Sequence, residues 1–322
     1  RLSVAGDACV SGVITATNFA KADGSSLGGF SQDSTGNLVA GTGAGAAIDS
    51  DTCFNIILGR TAGAALNSGD QNIFLGSCAG KYTTSGSRNI AIGQQAGEDL
   101  NGKFNFFGGY RAARNVTTGC YNIALGTLSM ASCAVTGNKN IAIGMYAGKL
   151  LNSGACNTFI GGNAGKCNTS GSQNIALGSY ALGNAALTGD NNIALGEKAG
   201  QSITSGTQNV LLGLCAGENI TDSSHSIFLG KFAGCQANGL SNIAIGFCAG
   251  KNITIGEKNI LIGCNVEVAS ATGSCQLVIG HASCRWIQGD SSYNVCLAGI
   301  ATVYAATGIV SATAFYGDGS NL

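Results

Sequence analysis

Charge is scarce in this chain. Only 10% of its 322 residues are charged, 16 acidic against 16 basic, so no electrostatic pull toward nucleic acid or an anionic membrane is expected. Low charge combined with 45% hydrophobic residues also argues against disorder. No apolar run reaches the roughly 18 residues needed to span a bilayer, and the start lacks a basic-then-apolar secretion signal. Proline is absent and histidine occurs only at His225 and His281, which leaves little material for general-base catalysis. No C-x-x-C pair and no calcium-binding G-G-x-G-x-D nonapeptide occurs, so neither a metal nor a cofactor is expected.

Glycine, by contrast, numbers 52 and cysteine 14. The cysteines do not all occupy one repeated slot. Cys78, Cys215 and Cys248 sit six residues after a recurrent asparagine, Cys53 and Cys120 just before it, and Cys264 just after the glycine that follows. They read as small apolar filler rather than a disulfide framework. One pair, Cys248 and Cys264, falls in consecutive repeats near enough for a bridge to form.

The recurrent asparagine heads the motif N-I-A-I-G, clearest at Asn140–Gly144 and Asn242–Gly246. Aligned copies begin at Asn55, Asn72, Asn89, Asn105, Asn122, Asn140, Asn157, Asn174, Asn192, Asn209, Asn242 and Asn259, with Ser226 and Gln276 filling the slot twice more. Neighbours are 16 to 18 residues apart, mostly 17. So short a period means that each unit is one coil of a solenoid, burying its core by stacking on its neighbours. The expected fold is therefore all-β, a parallel β-solenoid of about 14 coils. At about 4.8 Å per coil the rod would be roughly 65–70 Å long. Three parts follow: an opening linker over 1–50, the repeats over 51–285, and a closing cap and linker over 286–322. The closing segment from Gly308 to Leu322 matches the opening one from Gly12 to Leu27, and the chain opens on Arg1 rather than Met. Both features suggest a module cut from a longer fibre protein.

Within a coil the consensus is N-[IV]-x-[LI]-G-x-x-A-G, a variable stretch, then [ST]-G before the next Asn. The motif glycine reads as a corner with φ > 0, the A-G as a thin second side, and the S-G or T-G as turn chemistry. The Asn column is expected to form a ladder of stacked amides, each donating to the next coil. Residues one and three after the Asn, such as Ile90 and Ile92, should point into the coil, with the residue between them pointing out. That middle residue is never polar, and the column includes Phe74, Phe107, Phe159, Leu211, Phe228 and Leu261. Strands apolar on both faces are covered on both faces. The reading therefore places this column in a seam between like chains around a symmetry axis.

The motif N-I-A-I-G-x-x-A-G, as at Asn89–Gly97 and Asn242–Gly250, resembles the repeat in the heads of trimeric autotransporter adhesins. That likeness implies a left-handed β-roll in trimers. With its T-S-G turns and the A-T-x-F-x-G-D-G-S-x-L segment at Ala312–Leu322, the chain is also similar to repeat-bearing tail-fibre and structural proteins of marine, cyanophage-type phages. Asn105–Gly109 departs from the pattern, reading N-F-F-G-G.

Together these point to a structural and adhesive fibre segment without catalysis, extracellular or on a virion. The expected partners are copies of itself, further modules end to end, and a host-surface glycan or protein, with no membrane insertion. The alternatives are a bacterial adhesin head and a solenoid that binds ice or glycan surfaces. Thr84, Thr117, Thr169, Thr204, Thr221 and Thr254 recur near one slot, but no strict T-x-T ladder runs through them. An acyltransferase left-handed helix needs three hexapeptides per coil, and only one, as at Ile92–Gly97, fits. The acids are scattered, although Glu98 and Glu218 share a slot. Variable pairs after the A-G, such as Lys81-Tyr82 and Lys251-Asn252, could present a binding surface. His281, Arg285, Trp286 and Tyr293 form the single aromatic-basic concentration, a contact point for a glycan or a cap on the last coil.

Overall fold

A computed structural model describes residues 31–131, 134–298 and 301–312. Of the matching segments at Gly12–Leu27 and Gly308–Leu322, the first lies outside the described residues and so does the second beyond Ala312. All the described strands belong to a single sheet, and no helix occurs among the described residues.

The first strand, β1 (Ser31–Gln32), pairs antiparallel with β2 (Leu38–Ala40). From β2 the strands are parallel, one per coil. They are β3 (Ile56–Leu58), β4 (Ile73–Leu75), β5 (Ile90–Ile92), β6 (Phe106–Gly108), β7 (Ile123–Leu125), β8 (Ile141–Ile143) and β9 (Thr158–Ile160). There follow β10 (Ile175–Leu177), β11 (Ile193–Leu195), β12 (Val210–Leu212), β13 (Ile227–Leu229), β14 (Ile243–Ile245), β15 (Ile260–Ile262) and β16 (Leu277–His281). Registers are uniform: Ile175, Ala176 and Leu177 stand opposite Ile193, Ala194 and Leu195. The chain is thus a parallel β-solenoid. It ends in an antiparallel meander of β17 (Cys284–Gly289), β18 (Val295–Leu297), β19 (Ala301–Tyr304) and β20 (Ile309–Ala312), which extends the same sheet.

The coils begin earlier than the repeat alignment suggests. Asn37 heads N-L-V-A-G with A-G at Ala44–Gly45, and β2 pairs in register with β3, so the solenoid reaches into the stretch read as a linker over 1–50. At the other end the switch to antiparallel pairing precedes the expected boundary, because β17 already spans Cys284 and Arg285.

Three positions in most coils are left-handed, one of them the A-G glycine (Gly165, φ 55). The residue before the Asn (Gln173, φ 59) and the second after the glycine (Tyr180, φ 59) both adopt this conformation without being glycine. It costs about 1–2 kcal/mol for an L-residue. Each corner amide is satisfied by the preceding coil, Gln173 N–H donating to Ala155 O at 2.9 Å and Tyr180 N–H to Gly162 O at 3.0 Å. The motif glycine has a different need. Gly178 has φ +128, and a Cβ there would stand 2.7 Å from the backbone of Gly196 in the next coil. The coils touch backbone to backbone at this column, which leaves no room for a side chain.

The direction of the strand side chains is the reverse of the expectation. The Asn and the middle strand residue point inward, and the first and third residues point outward. Phe74, Phe107, Phe159, Leu211, Phe228 and Leu261 are fully buried within one chain, so they form no seam between chains. The reason is geometric. The left-handed corner turns the Asn inward, and alternation from that point carries the middle residue in with it. A coil this thin cannot hold a large side chain at every level, so Phe107 stacks beside Ala91 and Ala124, and Phe159 beside Ala142 and Ala176. The rest of the core is the A-G alanine, such as Ala96 and Ala199, and a third column including Leu66, Leu100, Leu151, Ile203, Ile220 and Ile253.

Candidate interaction surface

The asparagine column is an internal brace. Asn174 N–H donates to Asn157 Oδ1 at 2.9 Å, and its own Oδ1 accepts from Asn192 N–H at 2.9 Å and from Asn192 Nδ2 at 3.1 Å. Its Nδ2 donates to Gly189 O at 2.9 Å, the carbonyl of the turn glycine. Each amide therefore ties the head of its strand both to the previous coil and to the far corner. The same pattern recurs at Asn55, Asn72, Asn89, Asn122, Asn140, Asn157, Asn192, Asn209, Asn242 and Asn259, all buried. Asn37 extends the ladder at its start, accepting from Asn55 N–H at 2.8 Å. Where Ser226 replaces the amide, its shorter side chain cannot reach the far corner. Ser223 Oγ does so instead, donating to Gly239 O at 2.9 Å and lying 3.0 Å from Ser226 Oγ. Gln276 closes the column, Nε2 donating to Gly273 O at 2.9 Å.

With the ladder inside, the outer face of the sheet carries the first and third strand residues. These make two apolar columns, interrupted in the coils only by Thr158 and Gly108. They are partly exposed, Ile175 and Leu177 at 37% each. The meander prolongs both columns, with one gap at Gly289. Leu277 and Ile279 stand opposite Gly289 and Ile287, which stand opposite Val295 and Leu297, and these oppose Val303 and Ala301. Val303 in turn opposes Val310. No charged residue falls on this stripe.

The stripe has two borders. One is the left-handed position before each Asn, where Arg88 lies over the Phe104 ring at 5.1 Å and Phe104 stacks on Tyr121 at 4.9 Å, nearly parallel at 5°. The other is the residue after each motif glycine, including Arg60, Tyr110, Met145, Glu197, Lys231 and Phe247. Neither the outward columns nor these borders were identified from the sequence. The missed signal is size: the middle column ranges from Ala to Phe, as a volume-limited interior must, whereas the flanking columns are Ile, Leu or Val except at Ala40, Phe106, Gly108 and Thr158.

The other sequence candidates are dispersed by the fold. Glu98 and Glu218 lie seven coils apart, about 34 Å at the usual strand spacing, far beyond the roughly 5–9.5 Å of a glycosidase pair. Glu98 instead accepts from Arg114 Nε of the next coil. His225 is an exposed left-handed corner. The threonine slot is spent on coil-to-coil bonds, with Thr204 Oγ1 donating to Thr221 O at 3.1 Å and Thr254 Oγ1 to Ala271 O at 3.2 Å. Of the variable pairs, Tyr82 is exposed with Lys81 Nζ over its ring at 4.6 Å.

Arg285 and Trp286 sit at an irregularity of β17, where the pairing passes from Ile279–Ile287 to Gly280–Arg285 and leaves Trp286 unpaired. Trp286 is 65% exposed, and Tyr293 lies in the turn before β18. Arg285 borders a shallow depression with Ser283, Gln288, Cys296 and Ala298. The strand that carries them lengthens the sheet instead of folding over the core.

No group of three or more His, Cys, Asp or Glu among the described residues is placed to hold a metal ion. The described cysteines are free, Cys248 and Cys264 included. Their thiols differ. The Thr61 hydroxyl, 3.3 Å from Cys78 Sγ, draws the Cys78 thiol below its ordinary pKa, whereas burial, with Glu218 alongside, pushes Cys215 up to about 11. Thr83 and Asn168 replace an apolar residue in the third core column and leave Thr83 Oγ1 and the Asn168 amide without partners. Such groups cost about 1–3 kcal/mol each.

Set against protein-family models, curated proteins and solved structures, the chain matches none.

Proposed function

We propose that this chain is a structural and adhesive fibre segment, extracellular or on a virion, that works as a stiff rod and presents variable side chains along its flank. The observation that carries the reading is the unbroken axial ladder. Each coil from Asn37 to Gln276 is bonded to the next through its strand, and the asparagine column ties most coils to the far corner as well. A ladder of that kind resists bending and extension along its whole length, about 70 Å for the fifteen parallel strands. Length and stiffness are what a fibre must supply. The repeat motif's likeness to phage tail-fibre proteins and adhesin heads supports the same role. It implies a left-handed coil and an assembly of three copies, whereas the exposed face favours two.

Immunogold labelling of intact native particles or cells tests the role. Label on the outer surface of virions supports the phage reading, and label on a bacterial surface supports the adhesin head. Label found only in the interior refutes both.

A further inference from the structure

The two-column stripe runs through nineteen strands, β2 to β20. At about 4.8 Å per strand it is about 90 Å long, and at roughly 10 Å across it offers about 900 Å². Stable interfaces bury about 800 Å² per partner, so this one surface is enough for a specific complex. A partner must present apolar side chains at the same axial period over that length. A second copy of the chain does so without adjustment.

The stripe also matches itself in relief. Rotation by 180° about an axis parallel to the rod, lying between two facing sheets, sets the first strand column of one copy against the third column of the other, level by level. Phe106 is the largest residue of the first column and Gly108 the single gap in the third, and they share β6. In this arrangement the Phe106 ring of each copy enters the space above Gly108 of the other. The same rotation brings the border before the Asn against the border after the glycine. Arg60 then meets Phe54, Tyr110 meets Phe104, and Glu197 meets Asn191. Lys231 with His225 is the single level in the coils where two basic side chains face each other. An end-to-end reversed pairing sets each column against itself and loses the fit of Phe106 to Gly108.

The meander gives an independent reason. Among the described residues it is a single layer with no solenoid behind it, and Leu297, Val303 and Val310 are exposed on the side that continues the stripe. Isolated strands of this kind are marginal in water. In the parallel pair each meander gains the other as its second layer.

We infer that the stripe binds a second copy of this chain, parallel and in register about a two-fold axis along the rod. This rests on the reading of the chain as a self-assembling rod and adds the surface and the symmetry.

The experiment is the solution mass of the unmodified chain by light scattering, followed by a bump-and-hole exchange at β6. The expected mass is twice the 32.0 kDa of one chain. Gly108→Phe sets ring against ring across the pair and should weaken association at least 100-fold. Phe106→Gly combined with Gly108→Phe should restore it. Both positions face outward, so circular dichroism should stay unchanged. Hydroxyl-radical footprinting of the unmodified chain reads the same surface with no substitution: Ile175 and Leu177 should be protected while Tyr82 is labelled. An unmodified chain of one-chain mass overturns both the pair and the self-assembly reading. A three-chain mass overturns the two-fold geometry and leaves self-assembly standing. A two-chain mass indifferent to Gly108→Phe, or a stripe labelled as freely as Tyr82, overturns this surface alone.

Discussion

Replacing Asn174 by alanine removes one rung of the ladder near the middle of the rod. Three groups lose their partners: the Gly189 carbonyl, the Asn192 backbone N–H, and one hydrogen of Asn192 Nδ2, whose other hydrogen still bonds Gly206 O at 2.8 Å. Asn174 and Asn192 are fully buried, so water cannot replace these bonds without opening the coil. A buried polar group left unpaired costs about 1–3 kcal/mol. The three belong to one network and do not add fully, so the expected loss is about 3–6 kcal/mol. Urea unfolding followed by circular dichroism measures it, and hydrogen exchange at the Asn192 amide locates it. The control is Asn219→Ala, an exposed asparagine outside the ladder, which should change stability by less than about 0.5 kcal/mol. A loss below about 1 kcal/mol at Asn174, or equal losses at the two sites, would refute the ladder as a source of stability.

Two further outcomes follow from the face assignment and the thiols. Phe159→Ala should cost about 3–5 kcal/mol by opening a cavity in the core, measured in a chain held monomeric by dilution. Ile175→Ala, one strand on but facing outward, should cost less than about 1.5 kcal/mol there, and the reverse ranking would restore the discarded orientation. Alkylation by iodoacetamide needs the thiolate, so Cys78 should react in the folded chain at lower pH than an ordinary cysteine. Cys215, pushed up to about 11, should stay slow until pH is well above 9. Mass-spectrometric rates against pH check both, and equal rates at pH 7.5 would contradict the assigned environments.

The sequence alone determined the period, and with it the class of fold. A motif returning every 16 to 18 residues has no stable solution except coils stacked in register. It also carried the asparagine column, because a polar residue held at one level of every coil must find its partners in its neighbours. Which way the strands face was left to the tertiary structure. Alternation says that Ile175 and Leu177 share a side and Ala176 the other, but hydropathy cannot tell inside from outside when both sides are apolar. The left-handed turn at Gln173 and the narrow interior, which takes one Phe159 between Ala142 and Ala176, decided it. The coil at Asn37 was hidden for a related reason: L-V-A in a glycine-rich stretch is too short a signal until β3 supplies a strand to pair with. The meander likewise depends on its neighbour, since nothing in Cys284–Gly289 taken alone distinguishes an antiparallel strand from another parallel coil. The last coil's free edge, Leu277–His281, supplies the template, and a short chain reversal after His281 leaves antiparallel pairing as the only register within reach.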